Sequence, residues 1–234
     1  MTLFYVPNLT SGSVLPEEES FHAVKVLRLQ AGDEIIVVDG VGGYHKARIT
    51  LPHHKRCGFE IIETKEGFGK RNYKLHIAIA PTKNIERLEW FIEKATEIGI
   101  DEITPIICRF SERKVVKEER LEKIIVSAAK QSVKAYFPTL NPQTTFDEFI
   151  NNHKAEVCYI AHCYEQDKKQ LYHELVGKKD ILILIGPEGD FSKEEIEKAI
   201  QKGFIPVSLG DSRLRTETAG VVACTTVAVM KITT

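Results

Sequence analysis

Two stretches hold the residues best suited to chemistry. Gly186-Pro187-Glu188-Gly189 closes the unbroken apolar run Ile181 to Ile185, and Leu209 to Ala219 sets Arg213, Arg215, Thr216, Glu217 and Thr218 directly before a helix of small and apolar residues. A run of large apolar residues ending in a glycine-rich turn reads as a strand of a parallel sheet, buried on both faces. In open α/β sheets the carboxyl ends of such strands border the ligand crevice. The Pro187-Glu188-Gly189 turn can present backbone N–H and C=O groups with little side chain in the way. Arginines, threonines and an acid crowded into one loop are poor core material and suit a site. Between the loops, Ser192 with Glu195 three residues on makes a capping box for a helix over 193–202, and Gly203 turns the chain out of it. Glu194 and Glu195 therefore read as structural acids. Ile205 to Leu209 is the last short strand, which lands Gly210 beside the first turn if neighbouring strands run parallel.

These loops need a sheet beneath them, and the preceding chain supplies its pattern. Tyr73 to Ala80 reads as a strand, Asn84 to Gly99 as a helix with Ile85, Leu88, Phe91 or Ile92, Ala95 and Ile98 at helical spacing, and Ile103 to Cys108 as a second strand. Strand, helix, strand implies a parallel pair with a right-handed crossover. A helix over 146–151, a strand over 157–162 and a helix over 168–175 continue the alternation. Residues 1–70 have a different texture, with the short apolar pieces Leu3 to Val6, Ile35 to Val38, Tyr44 to Ile49 and Phe59 to Ile62 separated by turns, which predicts a small β-barrel or sandwich. One helix is expected over 16–29, with Phe21, Val24 and Leu27 or Leu29 on its apolar face. The polar, glycine-rich segment Thr64 to Asn72 marks a boundary, giving domains at 1–70 and 73–234.

The 234 residues carry a net charge of -1, so any nucleic-acid contact depends on local patches rather than overall charge. His22, Lys25 and Arg28 fall three apart on the predicted helix. Arg109, Arg113, Lys130 and Lys134 belong to a segment with eight cations and four acids between 109 and 134. Both sets could contact an RNA backbone, and a solvated helix face is the plainer account of each. Lys83, Arg87 and Lys94 are explained by an exposed helix face, whereas Ala128-Ala129 followed by Gln131-Ser132 could border the ligand site. Five cysteines without CxxC spacing predict neither a disulfide framework nor a metal site. No run approaches the roughly 18 apolar residues of a membrane span, and the start lacks signal-peptide character, so a soluble cytoplasmic protein is expected. GxGxxG and GxxxxGK[ST] are both missing. A nucleotide-dependent dehydrogenase would need a glycine-rich first βα turn, where the chain has Pro81-Thr82-Lys83-Asn84.

The two loops resemble a known signature. Ile185-Gly186-Pro187-Glu188-Gly189, with Leu209-Gly210 and Leu214-Arg215-Thr216-Glu217-Thr218-Ala219, is similar to the cofactor signature of the SPOUT methyltransferases, in particular the bacterial 16S ribosomal RNA (uracil-N3)-methyltransferase family known as RsmE. His22-Ala23-Val24-Lys25-Val26-Leu27-Arg28 followed by Gly32-Asp33, Lys94-Ala95-Thr96-Glu97-Ile98-Gly99, and Gln131-Ser132 extend the resemblance along the chain. Asp190 stands where that family usually has glycine, and Lys130 and Lys134 where it usually has Glu and Arg. The resemblance implies an α/β fold: a trefoil-knotted SPOUT domain preceded by a small PUA-like β-barrel that helps hold RNA. It also implies S-adenosylmethionine as cofactor, a homodimer, and one uridine of 16S rRNA, free or in the small ribosomal subunit, as substrate. Its cofactor neighbours map to Leu184, Ile185, Gly186, Glu188, Gly189, Leu209, Gly210, Leu214 and Thr218. For catalysis, Arg215 is expected to stabilise charge on a uracil carbonyl, and Glu217 to orient Arg215 or take the N3 proton through water. Val221, Val222, Ala223, Val227, Ala228 and Val229 are expected to form a buried helix that also supports the dimer. Another SPOUT specificity, such as ribose methylation, and a non-catalytic RNA-binding protein are the alternatives.

Overall fold

The computed structural model describes residues 2–7, 9, 13–153, 155–165 and 168–232. The chain divides into two compact units, Met1–Lys70 with Val126–Phe137, and Arg71–Ile125 with Pro138–Thr234.

The first unit contains β1 (Leu3–Tyr5), α1 (Glu17–Phe21), β2 (Glu34–Val38), β3 (Tyr44–Leu51) and β4 (Gly58–Lys65). The strands form one sheet in the order β1-β2-β3-β4, with β1 parallel to β2 and the other pairs antiparallel. Leu15 N–H donates to Cys57 O and Phe59 N–H to Ser13 O, curling the segment before α1 onto the start of β4. Alternation along β2 fills both faces: Ile35 and Val37 join Phe4, Ala47, Ile49 and Phe59, while Ile36 and Val38 pack with Leu3 and Ala135. That two-sided burial explains a continuous apolar run in an antiparallel strand.

The single helix expected over 16–29 does not form. After α1 the chain widens into a π-helical turn, His22–Val26, with Leu27 N–H donating to His22 O and Leu29 N–H to Ala23 O. The i→i+5 spacing rotates side chains off the 3.6-residue period. Phe21, at the end of α1, is 52% exposed and Leu27, just after the π turn, 37%, while Ser20 and Ala23 face the core. Ser20 Oγ donates to Leu15 O and accepts from Cys57 N–H, so its burial leaves no orphaned polar group. Arg28 leaves the turn at φ 57°.

The second unit contains β5 (Lys74–Ile79), α2 (Ile85–Ile98), β6 (Glu102–Ile107), α3 (Glu118–Gln131), β7 (Thr139–Leu140), β8 (Thr144–Thr145), α4 (Phe146–Asn152), β9 (Val157–Ala161), β10 (Lys169–Gln170), α5 (Leu171–Glu174), β11 (Asp180–Ile185), α6 (Lys193–Gln201), β12 (Ile205–Ser208) and α7 (Thr216–Ile232). The end of α3, from Val126, groups with the first unit. The sheet is parallel throughout, in the order β10-β12-β9-β11-β5-β6-β7, with β8 also on β6. β11 lies between β9 and β5, and Ile181 to Ile185 are at most 2% exposed, as a doubly covered central strand requires. Asn84 caps α2, accepting from Glu86 N–H at 3.2 Å. The capping box predicted before α6 is present, with Ser192 Oγ accepting from Glu195 N–H and Glu195 Oε2 accepting from Ser192 N–H.

Two expectations change here. The helix expected over 168–175 is shortened, because Lys169 and Gln170 pair with Val207 and Ser208 of β12, whose edge would otherwise be open. The apolar tail is not buried all round: Ala223 and Val227 face the core, Val221, Val222 and Ala228 are half-buried, and Val229 is 54% exposed. Among the described residues no helix is long and apolar enough to cross a membrane.

Candidate functional site

The carboxyl ends of three adjacent strands, β12, β9 and β11, surround a cavity of about 560 Å³. One wall is the turn after β11, with Ile185, Gly186, Pro187, Glu188 and Asp190. The opposite wall runs from Val207 through Thr216, with Ala219 behind it. The third is the end of β9, with Ala161, His162, Cys163 and Lys168.

Short polar contacts fix these walls. Thr216 Oγ1, 5% exposed, donates to Gly186 O at 3.0 Å and so ties the start of α7 to the end of β11. Glu188 Oε1 accepts from Lys83 N–H at 2.9 Å, and Arg113 donates from Nε to Thr82 O and from Nη2 to Lys83 O. The turn after β11 is thereby braced against the turn after β5. Space at two glycines is also required: a Cβ on Gly186 would stand 3.0 Å from the Phe191 ring, and one on Gly189 3.0 Å from Phe110 Cβ. Gly210 differs, with φ 122° and nothing within 4 Å of an added Cβ, so its main chain faces open space.

The expected cofactor residues separate into two groups. Ile185, Gly186, Glu188, Leu209, Gly210 and Leu214 line the cavity. Leu184 is fully buried inside its strand, Gly189 is turned against Phe110, and Thr218 lies along α7 outside the lining. Arg215 is exposed on the cavity wall. Glu217 is 7% exposed and faces α2, where Arg87 Nε lies 3.9 Å from Oε1, and its Oε2 has no hydrogen-bond partner among the described residues. The structure therefore brings Arg215, but not Glu217, to the cavity.

Sequence reasoning missed the third wall. Its signal was the strand ending at His162, but the register that sets β9 between β11 and β12 is not local information. His162 is 6% exposed, and burial, then the nearby Lys168 charge, push its pKa down, which keeps the imidazole neutral. Neither ring nitrogen has a hydrogen-bond partner among the described residues. Lys168 Nζ donates to His162 O at 2.6 Å.

The cations expected to meet RNA are also divided. Lys25 and Arg28 are exposed, and His22 is half-buried with its ring 6.1 Å from Phe4. Lys130 Nζ donates to both carboxylate oxygens of Glu19, at 2.6 and 2.8 Å, so its charge is compensated internally. Arg109 pairs with Glu194 at 3.1 Å, Arg113 is spent on the two carbonyls above, and Lys134 is half-buried. Ala128 and Ala129 are buried, and Ser132 Oγ donates back to Ala128 O. The five cysteines are free thiols, and among the described residues no group of three or more His, Cys, Asp or Glu is arranged to hold a metal ion.

Residues 69–228 match the family model of the RNA methyltransferase domain, and residues 15–62 that of the RNA methyltransferase PUA domain. The chain belongs to the RNA methyltransferase family. Relatives of this methyltransferase include the ribosomal RNA small subunit methyltransferase E of Buchnera aphidicola subsp. Acyrthosiphon pisum, 30% identical over 92% of this chain and 87% of that protein. The protein of the same name from Bacillus subtilis is 28% identical over 88% of this chain and 85% of its own length. Among solved structures, one described as a probable rRNA-methyltransferase from Porphyromonas gingivalis superposes with a TM-score of 0.92 at 43% identity, covering 100% of this chain and 99% of that one. The Neisseria gonorrhoeae ribosomal RNA small subunit methyltransferase E, solved bound to S-adenosyl methionine, gives 0.81 at 28% identity, covering 96% and 95%. The methyltransferase fold thus unites a parallel α/β domain with a PUA domain.

Proposed function

We propose that this methyltransferase transfers a methyl group from S-adenosylmethionine to N3 of one uridine in 16S ribosomal RNA, and so works in the cytoplasm. The observation that carries the reading is the cavity at three parallel strand ends, with walls clasped by Thr216 and Gly186, in a chain of this family. About 560 Å³ lies within the roughly 300–1,000 Å³ of small-molecule sites. The open main chain at Gly210 leaves room for a flat ring. Main-chain groups of Ile185, Gly186, Leu209, Gly210 and Leu214 would hold the cofactor. When bound, it supplies a sulfonium-activated methyl group.

The protein has to manage the uracil proton. Neutral N3 has no available lone pair, so its proton must pass to solvent water and the site must stabilise the anion left before the methyl group is transferred and the neutral thioether leaves. Arg215 fits that role, with an exposed guanidinium on the cavity wall able to hydrogen-bond a uracil carbonyl. Glu217, turned toward Arg87, braces the first turn of α7, where an acid also suits the helix dipole. Lys25 and Arg28 of residues 1–70, the RNA-gripping domain of this reading, supply phosphate contacts; residues 73–234 form the knotted catalytic domain. A second copy of the chain packs on the apolar face of α7 that includes Val222 and Val229, and light scattering should report a dimer.

Calorimetry with S-adenosylmethionine tests the cofactor, and mass mapping of ribosomal RNA from a strain lacking the gene tests the target. One missing base methyl on a uridine supports the reading. A missing ribose methyl refutes the uracil assignment, and undiminished methylation refutes the substrate.

A further inference from the structure

We infer that Asp190 sets the selectivity of the pocket, favouring the positively charged methyl donor over its demethylated product, whose sulfur is neutral. This rests on the reading of the cavity as the S-adenosylmethionine site. The two ligands differ by one methyl group and one positive charge, so the ratio of their affinities isolates what the walls do to a sulfonium.

Asp190 holds its place by unusual means. Its φ is 65°, a left-handed conformation that residues other than glycine adopt uncommonly, Asp and Asn most readily. Both carboxylate oxygens accept main-chain N–H groups, Oδ1 from Phe191 at 2.8 Å and Oδ2 from Cys163 at 2.7 Å. The second bond joins the turn after β11 to the end of β9, so the side chain both closes a corner of the cavity and fixes the position of its own charge. Hydrogen bonds from N–H groups to a carboxylate are of the stronger, charge-assisted kind. Among the described residues no cation forms an ion pair with Asp190. Its field still reaches the third wall: the Cys163 thiol is held above its ordinary pKa by burial first and by this carboxylate second.

The balance of charge decides what that field is for. Three cations, Lys168, Arg213 and Arg215, and three acids, Glu188, Asp190 and Asp211, line the cavity. His162 adds no charge while its pKa is pushed down. With Asp190 the walls are balanced; without it they are net positive and oppose a sulfonium. Glu188 is the less available acid, since its Oε1 already accepts from Lys83 N–H.

The test compares Asp190→Asn and Asp190→Gly with the unaltered full-length protein, measuring calorimetric affinities for S-adenosylmethionine and S-adenosylhomocysteine. Asn tolerates the left-handed backbone, but its single amide oxygen can keep only one of the two main-chain hydrogen bonds, so D190N removes the charge and one tie, and the lost tie acts on both ligands and cancels in their ratio. A unit charge acting across a partly solvated pocket predicts a fall of about three- to tenfold in the ratio of donor to product affinity. Gly takes the backbone angle without strain and cannot make the Cys163 tie, so D190G should weaken both ligands and shift the ratio by the same factor. It also carries the test if D190N does not fold. A ratio unchanged in the folded variants overturns the inference. Failure of the unaltered protein to bind either ligand overturns the cofactor reading instead, and the two failures are distinct.

Discussion

Gly220→Ala should destabilise the protein although it improves helix propensity. Gly220 is buried in α7, and a Cβ there would stand 2.6 Å from both Cδ2 and Cε2 of Phe91 and 3.1 Å from Cδ1 of Ile79. Carbon atoms in good contact lie at roughly 3.5–4.0 Å, so the ring would have to retreat by about 1 Å. Phe91 is 0% exposed, and so are its α2 neighbours Leu88 and Ile92, so α7 must lift away or the core must rearrange. Overpacking of this kind costs about 1–3 kcal/mol. Against it stands a gain of about 1 kcal/mol for Ala over Gly in a helix interior. The expected net loss is about 1 kcal/mol, read as a lower urea midpoint at unchanged m-value. Phe91→Leu in the same chain should remove the clash, so the double variant should be more stable than the sum of single effects by about 1 kcal/mol. A G220A protein more stable than the parent, as propensity alone demands, would refute the close-approach argument. Because α7 begins at Thr216, the clash should also weaken cofactor binding.

Thr216→Val keeps volume and removes the donor to the buried Gly186 carbonyl; it should cost about 1–3 kcal/mol and weaken S-adenosylmethionine binding, and an unchanged calorimetric affinity would contradict the clasp. Arg215→Ala should leave cofactor binding intact while methyl transfer to ribosomal RNA falls by about tenfold or more, so full turnover would remove Arg215 from the reaction. The His76 imidazole is lowered from 6.5 to about 4, by burial above all. As pH falls the unfolded chain binds the proton first, so the stability due to neutral His76, complete above about 6.5, is lost down to about 4 and amounts to about 3 kcal/mol at most. His76→Gln should flatten that part of the urea-midpoint profile, and superimposable profiles would show that another group is responsible.

The parallel sheet and its two loops were legible because they depend on local signals: an apolar run, glycine turns, and the pair Ser192 and Glu195 that caps α6. Asn84 and Gly99 marked α2 for the same reason. What escaped depends on partners distant in sequence. The order β12-β9-β11, which recruits His162, Cys163 and Lys168, follows from strand pairing rather than from residues 157–168 themselves. Lys169 and Gln170 became a strand because β12 had an open edge beside them. At Lys130 the charge was visible, but Glu19, 111 residues away, was not visible as its partner. Just before the π turn at His22–Val26, Ser20 was not legible as a core residue, because the N–H it satisfies belongs to Cys57, 37 residues away. Arg113 shows the same limit, since a cation in a basic segment gives no sign that its acceptors are the carbonyls of Thr82 and Lys83.

The clasp between Thr216 and Gly186 also bears on biosynthesis. The chain is made in order, and β5, β6, β9 and β11 can pair before the segment beyond β12 exists. The wall from Val207 to Thr216, with α7 behind it, is added afterwards. A nascent chain halted before Thr216 would hold most of its sheet yet lack the clasp that fixes the opposite wall of the cavity. Such a chain could not bind its cofactor while still attached to the translating ribosome, so an enzyme whose target is ribosomal RNA would become active only after its own synthesis had passed that point.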